Sequence, residues 1–335
     1  MLDDNLEGSY AWNTILPHRR IDRTSLQQVE EVHLQEGTEM ATVGSGTHTY
    51  ELVEDWAQLP AGWTLGQTGI VTDARDRVYL FNRSEHPLMV LERDGTFLTS
   101  WGEGVLSSAH GMFIDAQENL YLPVINSHVV LKYSSSGNLL MTLGTWNTPS
   151  DTGWSGNYRD PVKQAAGPFH RPSDIAISPQ GEIYISDGYG NARIHRFAAD
   201  GTLQKSWGTP GKSAPGEFHV PHGVWVHTDG RVLVADREND RIQIFSPEGE
   251  FLTQWTGLAR PCDIYIDHDG VVYVPELDGL ITLLTLDGQV LTRWTSPTST
   301  GAGDGGHAVW IDSHGDIYLN QNQEGRRLLK YRRCG

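Results

Sequence analysis

Gly216–Trp255 reads GEFHVPHGVWVHTDGRVLVADRENDRIQIFSPEGEFLTQW. His222–His227 is an apolar run, Thr228-Asp229-Gly230 is a turn signal, and Arg231–Ala235 alternates. Asp236–Asp240 makes a polar corner, Arg241–Phe245 alternates again, Pro247-Glu248-Gly249 turns, and Phe251–Trp255 closes the stretch. Four short strands joined by Gly and Asp-Gly turns predict an antiparallel meander. One such sheet cannot bury both its faces, so it needs neighbours like itself.

Those neighbours are in the sequence. VPHGVWVHTDG has five further counterparts: GQTGIVTDARD from Gly66, AHGMFIDAQE from Ala109, RPSDIAISPQG from Arg171, RPCDIYIDHDG from Arg260 and GGHAVWIDSHG from Gly305. Each leads into a second strand (VYLFN, LYLPV, EIYISD, VVYVPE, DIYLNQ), and most copies end on an outer strand such as TFLTSWG or TLQKSWG. Repeats about 40–50 residues apart, with one longer gap, predict an all-β, six-bladed β-propeller. The last copy stops after three strands at LLKYRRCG, and an orphan strand, Thr49–Trp56 (TYELVEDW), precedes the first copy. Pairing these two ends would complete blade six and close the ring. The propeller is therefore expected over residues 49–335, with 1–48 as an N-terminal extension.

Composition agrees with a turn-rich sheet protein: 37 Gly, 16 Pro and 38% hydrophobic residues in a chain of 335. No apolar run approaches the roughly 20 residues that span a membrane, and the acidic N-terminus lacks the features of a secretory signal. Cys262 and Cys334 make no disulfide framework, so a cytoplasmic protein is expected. A net charge of −17 without a basic stripe argues against nucleic acid as a partner. Within the extension, Thr24–Glu36 suits either a short capped helix or a strand along the propeller's side. Trp146–Gly167, between blades two and three, is long enough for a functional lid and equally suits a decorative insertion.

Aligned on their turns, the six opening strands place Thr68, His110, Ser173, His222, Cys262 and His307 in one column. First strands line a propeller's channel, so histidines in blades two, four and six would meet on the axis at one depth. With 14 His in 335 residues, a given triple arises by chance about once in 14,000, or about once in 170 after allowing for the available columns. A lone channel histidine is ordinary structure, but this triple reads as a three-histidine metal site with an open position. Zinc is the expected ion, because neutral imidazoles suit it and an open position gives Lewis-acid chemistry. Thr68, Ser173 and Cys262 are small and leave room, with Cys262 read as a buried filler rather than a ligand.

The corners after the second strands face the same mouth. Asp187, Asn191 and Arg193 in blade three repeat as Asp236, Asn239 and Arg241 in blade four, which marks them as turn networks internal to a blade. Tyr189, Arg83 and Arg237 do not recur, as expected of residues that serve a site. A tyrosine near a metal can act as general base once positive charge lowers its pKa. An arginine can fork onto a carboxylate, although Arg83 also suits a solvated surface position. Gly188 and Gly190, flanking Tyr189, are expected to permit unusual backbone angles.

The D-x-x-N-x-R-I corners resemble NHL repeats. More specifically, RPSDIAIS…IYISDGYGNARIHRF with GEFHVPHGVWV and VLVADRENDRIQIF resembles the peptidyl-α-hydroxyglycine α-amidating lyases. The likeness runs from about Thr49 over most of the chain and is strongest over Gly167–Phe245. It implies a zinc held by His110 (AHG), His222 (VPH) and His307 (GGH), a catalytic Tyr189 (SDGY), and active-site Arg237 (ADREN) and Arg83 (FNR). The family has Met-Pro-His-Asp at its third histidine, where Gly305-Gly306-His307-Ala308 stands here. The missing Met, which lines the family's pocket, implies a different substrate end group. The missing Asp, which helps hold a structural calcium, argues against calcium. The family's disulfides and secretory context are also absent, with Gly190 in place of a cysteine.

The expectation is a zinc-dependent lyase acting on the carbinolamide C–N bond of a small molecule that bears a hydroxyl and a carboxylate. Tyr189 would be the base, and Arg83 and Arg237 would hold the carboxylate. Lactone or ester hydrolysis at the same site is the runner-up, and a non-catalytic NHL scaffold is the third reading.

Overall fold

Blade four shows how each repeat folds. Pro221–Val226, Val232–Asp236, Arg241–Phe245 and Phe251–Thr256 pair antiparallel in that order, from the channel outward. The two middle strands are buried throughout, while the outer strand is mostly exposed and buries only Trp255. Middle strands lie between neighbouring blades and are apolar on both faces, whereas the rim strand has one face in water. The computed structural model describes residues 42–296, 299–300, 303–322 and 328–334. These residues form a six-bladed β-propeller: four-stranded meanders begin at Thr68, Phe113, Asp174, Pro221 and Tyr265, and a five-stranded sheet forms the sixth blade. No α-helix occurs among the described residues, so none is long and apolar enough to cross a membrane.

Two recurrent devices hold the blades in shape. Asp73, Asp115, Asp267 and Asp312 close the first turn of their blades by accepting backbone N–H groups. Each also accepts the hydroxyl of a tyrosine on the next strand, namely Tyr79, Tyr121, Tyr273 and Tyr318, at 3.5, 3.2, 3.0 and 3.1 Å. Between blades, apolar side chains interdigitate; Ala235, Ile242, Ile264 and Val274 form one such cluster across blades four and five. Fully burying an aliphatic side chain is worth about 1.5–3 kcal/mol, so these seams carry most of the stability. One end of the channel is shut. Phe113, Trp225, Tyr265 and Trp310 meet there with ring centroids 4.9–6.1 Å apart.

Blade six contains both ends of the described chain. Its inner three strands are Gly306–Ile311, Ile317–Gln321 and Leu328–Arg333. The fourth is His48–Val53, antiparallel to the third with Val53 opposite Lys330 and Tyr50 opposite Arg333. A fifth strand, Thr42–Ser45, hairpins onto it. The sheet thus begins at Thr42, inside the stretch expected to be the extension, because the orphan strand brings its own hairpin partner. Thr24–Glu36 lies outside the described residues.

Tyr50 locks this seam. It is fully buried, stacks on Trp294 of blade five at 5.7 Å, and its hydroxyl lies 3.3 Å from that of Tyr273. Tyr50→Ala should therefore cost about 3–5 kcal/mol in denaturant unfolding, the range for deleting a buried aromatic ring. A loss under about 1 kcal/mol would show that the N-terminal strand is not part of the cooperative ring.

Candidate active site

His110, His222 and His307 enter the channel from blades two, four and six, and all three are buried. Their ring centroids stand 4.7, 4.6 and 4.8 Å apart, a nearly equilateral triangle about the axis. One ligand nitrogen of each lies within 4.8 Å of the others. Two rings are oriented from behind. His110 Nδ1 sits 2.5 Å from the Ser173 carbonyl and His222 Nδ1 sits 2.6 Å from the Cys262 carbonyl. A carbonyl only accepts, so both Nδ1 atoms carry the proton and both Nε2 atoms present lone pairs. The small residues of blades three and five thus serve the site through their backbones.

The triangle has more lone pairs than protons. Tyr189 Oη lies 3.0 Å from His110 Nε2 and 3.0 Å from His222 Nε2, and its single proton can satisfy only one of them. Both ring nitrogens of His307 are buried without a hydrogen-bond partner. Burial holds all three imidazoles well below the usual histidine range, reinforced by neighbouring histidines and by Arg83 and Arg237. Neutral rings aimed at a dry point with uncompensated lone pairs fit a divalent cation. Among the described residues, no other cluster of His, Cys, Asp and Glu side chains converges in this way. Cys262 does not join the cluster: its Sγ faces the Arg260 carbonyl at 3.7 Å, and burial pushes its thiol up to about 12.

Tyr189 is placed by close backbone approach. A Cβ on Gly188 would lie 2.0 Å from the Pro221 carbonyl oxygen, and one on Gly190 would lie 2.3 Å from the His170 ring. Neither glycine has a positive φ, so the expectation of unusual backbone angles is corrected: Gly188 lets the corner press against the strand of His222, and Gly190 lets it press against His170. Arg237 is 3% exposed, donates from Nη1 to Tyr189 Oη at 3.2 Å and from Nε to Glu238 at 3.0 Å. Burial works against its charge, but Tyr189 and Glu238 outweigh it and hold its pKa above the ordinary guanidinium value. Arg83 is at the exposed rim, its Nε donating to the Ala109 carbonyl at 2.6 Å, one residue before His110. Its charge nevertheless acts on all three histidines.

The repeating corner residues are structural. Asp187 accepts the His170 N–H and Asn191 Nδ2, and Asp236 accepts the His219 N–H, Asn239 Nδ2 and Arg241 Nε. Arg193 caps the Gly208 carbonyl at 3.0 Å. Gly305 and Gly306 also have a packing cause. A Cβ on Gly305 would lie 2.4 Å from the Glu276 carbonyl oxygen, and one on Gly306 would lie 2.6 Å from Pro275 Cβ. These glycines therefore close blade six against blade five.

Sequence reasoning missed Asp174 and Asp263, which follow the column residues of blades three and five. Asp174 accepts the Val224 N–H and Asp263 accepts the Val309 N–H, each at 2.9 Å and each two residues past a metal-site histidine. They clamp those strands at one depth. With the aromatic plug they line a cavity of about 20 Å³, room for roughly one water. The signal was present as Asp in alternate blades, in the position after the histidine column. Burial drives the Asp263 carboxyl up to about 7, and burial together with Asp263 lifts Asp174 well above the usual range.

Comparison with known proteins places this geometry among relatives. The NHL repeat family matches residues 169–197 and 218–245. NHL repeat-containing protein 3 of Homo sapiens is 32% identical over 237 residues, covering 66% of this chain and 65% of that protein. A probable peptidyl-alpha-hydroxyglycine alpha-amidating lyase of Caenorhabditis elegans is 30% identical over 186 residues, covering 52% of this chain and 49% of that protein. The matches thus span about two thirds or less of these relatives' lengths. Among solved structures, a gluconolactonase from Xanthomonas campestris superposes with a TM-score of 0.61 at 13% identity, covering 92% of this chain and 99% of that one. That likeness concerns the fold alone.

Two outcomes follow from the geometry. The purified protein should contain about one equivalent of divalent metal, and the double variant His110→Ala, His222→Ala should contain almost none by elemental analysis. Full occupancy in that variant would refute the site. Asp263 binds its proton more tightly folded, at about 7, than unfolded, at about 4. Its stabilising share is complete below about pH 4 and is lost as pH rises through about 7. Asp263→Asn should flatten the fall in metal-free stability as pH rises from about 4 through about 7. An unchanged slope would count against the assignment.

Proposed function

We propose that this NHL-repeat propeller, a sequence relative of the peptidyl-α-hydroxyglycine α-amidating lyases, is a metal-dependent carbon–nitrogen lyase. Its substrate would be a small carbinolamide bearing a hydroxyl and a carboxylate, cleaved to an amide and glyoxylate or a related aldehyde. The observation that supports this most is Tyr189 Oη, held 3.0 Å from two metal-site nitrogens and 3.2 Å from Arg237. A general acid–base group placed at the edge of a cation site is what removing a proton from a bound hydroxyl requires.

His110, His222 and His307 would hold zinc, whose neutral three-nitrogen donor set supplies Lewis acidity toward the substrate hydroxyl. Having given up its own proton, Tyr189 would take the hydroxyl proton at Oη and pass it to the departing nitrogen as the C–N bond breaks, so that the hydroxyl carbon becomes the aldehyde carbon and the nitrogen becomes the amide. Arg237 steadies Tyr189 Oη through Nη1, and with Arg83 at the rim it attracts the carboxylate. The half-buried aromatic floor narrows the far side of the channel.

A hydrolase on the same donor set would attack with a hydroxide generated at the cation, and a phenol there would be optional. Tyr189→Phe keeps the ring and removes the oxygen. Folding and metal content should stay near normal, while glyoxylate release from an α-hydroxyglycine amide should fall roughly 10²–10⁴-fold. Wild-type turnover in that variant would remove the main support for the lyase.

A further inference from the structure

The long connection between blades two and three is fastened to blade three at several points. Thr152 Oγ1 donates to the Gly190 carbonyl at 2.6 Å, and His170 Nδ1 lies 2.8 Å from the Ser150 carbonyl. Asn191 exchanges two 3.2 Å hydrogen bonds with the backbone of Ala166. Val162 is buried in the core shared by blades three and four. The strap therefore delivers whatever its middle carries to a defined place.

Its middle carries Tyr158. The Arg237 guanidinium carbon lies 5.3 Å from the Tyr158 ring centre and also 5.3 Å from the Tyr189 ring centre. The two rings stand edge to face, 5.9 Å apart at 87°. A guanidinium between two phenol faces is held by cation–π attraction, strongest where water is excluded, and Arg237 is almost fully buried. Its Nε and Nη1 are bonded to Glu238 and Tyr189, so the plane of the fork is set on all sides but the Nη2 edge. Arginine loses little freedom on binding a carboxylate when its fork is already oriented.

We propose that Tyr158 is a positioning residue: its ring fixes Arg237 in the plane that receives the substrate carboxylate. The assignment rests on the lyase reading for its substrate, but the clamp itself is a property of Arg237. It is the ring face that acts, and the phenol oxygen is dispensable.

Tyr158→Phe and Tyr158→Ala separate these parts, with metal content measured in each. On N-benzoyl-α-hydroxyglycine, Tyr158→Ala should raise KM about tenfold with kcat changed less than about threefold, and Tyr158→Phe should stay within about twofold of wild type. Independently of turnover, phenylglyoxal should modify Arg237 several-fold faster in Tyr158→Ala and at the wild-type rate in Tyr158→Phe, followed by peptide mass spectrometry. An unchanged modification rate in Tyr158→Ala overturns the proposal, even if KM rises, because Tyr158 would then act without Arg237. Equal acceleration in both variants also overturns it, since the hydroxyl would be the active part. If no variant or wild type releases glyoxylate while the modification pattern holds, the lyase reading fails and the clamp stands.

Discussion

Uncompensated lone pairs at the centre of the channel are the constraint around which this molecule is arranged. Left alone, three neutral imidazoles bury acceptor nitrogens in a dry cavity, which is costly. Keeping them there demands that each strand be held at one depth by something outside the triangle. The carbonyls of Ser173 and Cys262 turn two of the rings. The carboxylates of Asp174 and Asp263 hold the strands of His222 and His307. The Ser173 hydroxyl reaches the Pro221 carbonyl and the Ser186 hydroxyl reaches the His222 carbonyl, so blade three also grips blade four directly. Blades three and five thus serve as supports and the even blades as donors.

How much of this was legible in the sequence follows from what repeats. Inner strands recur with a turn at a fixed offset, so blade number, channel-facing column and the histidine triple could be read by alignment alone. Tyr189 and Arg237 could be read because they break the repeat at a corner. Asp174 and Asp263 were passed over, although they occupy alternate blades as the histidines do, because an acidic residue after a small one looks like turn chemistry. Tyr158 had no periodic signal: it lies in the segment that departs furthest from the repeat, and only the folded strap brings it to Arg237. The hairpin strand Thr42–Ser45 was hidden for a related reason, since it is an addition to the blade rather than a copy of anything.

Glycines were the other source of misreading. A glycine beside a functional residue suggests conformational freedom, and at Gly188 and Gly190 that inference picked the wrong physical cause. What those positions lack is room for a methyl group, because the Pro221 carbonyl of blade four and the His170 ring occupy the space. Gly305 and Gly306, before the third histidine, are likewise pressed against the Glu276 carbonyl and Pro275 of blade five. In a closed ring every blade is wedged between two others, so a missing side chain is often a statement about the neighbour.

The aromatic floor of Phe113, Trp225, Tyr265 and Trp310 makes the channel a blind alley. Traffic then runs through one doorway, and arrival and departure must take turns. For a substrate split into two fragments, the inner fragment cannot leave until the outer one has cleared the mouth. Were the proposed substrate split there, that geometry would order release, last in and first out. The fragment retained deepest beside the histidines would compete with the next substrate molecule, so its accumulation would throttle the protein from within.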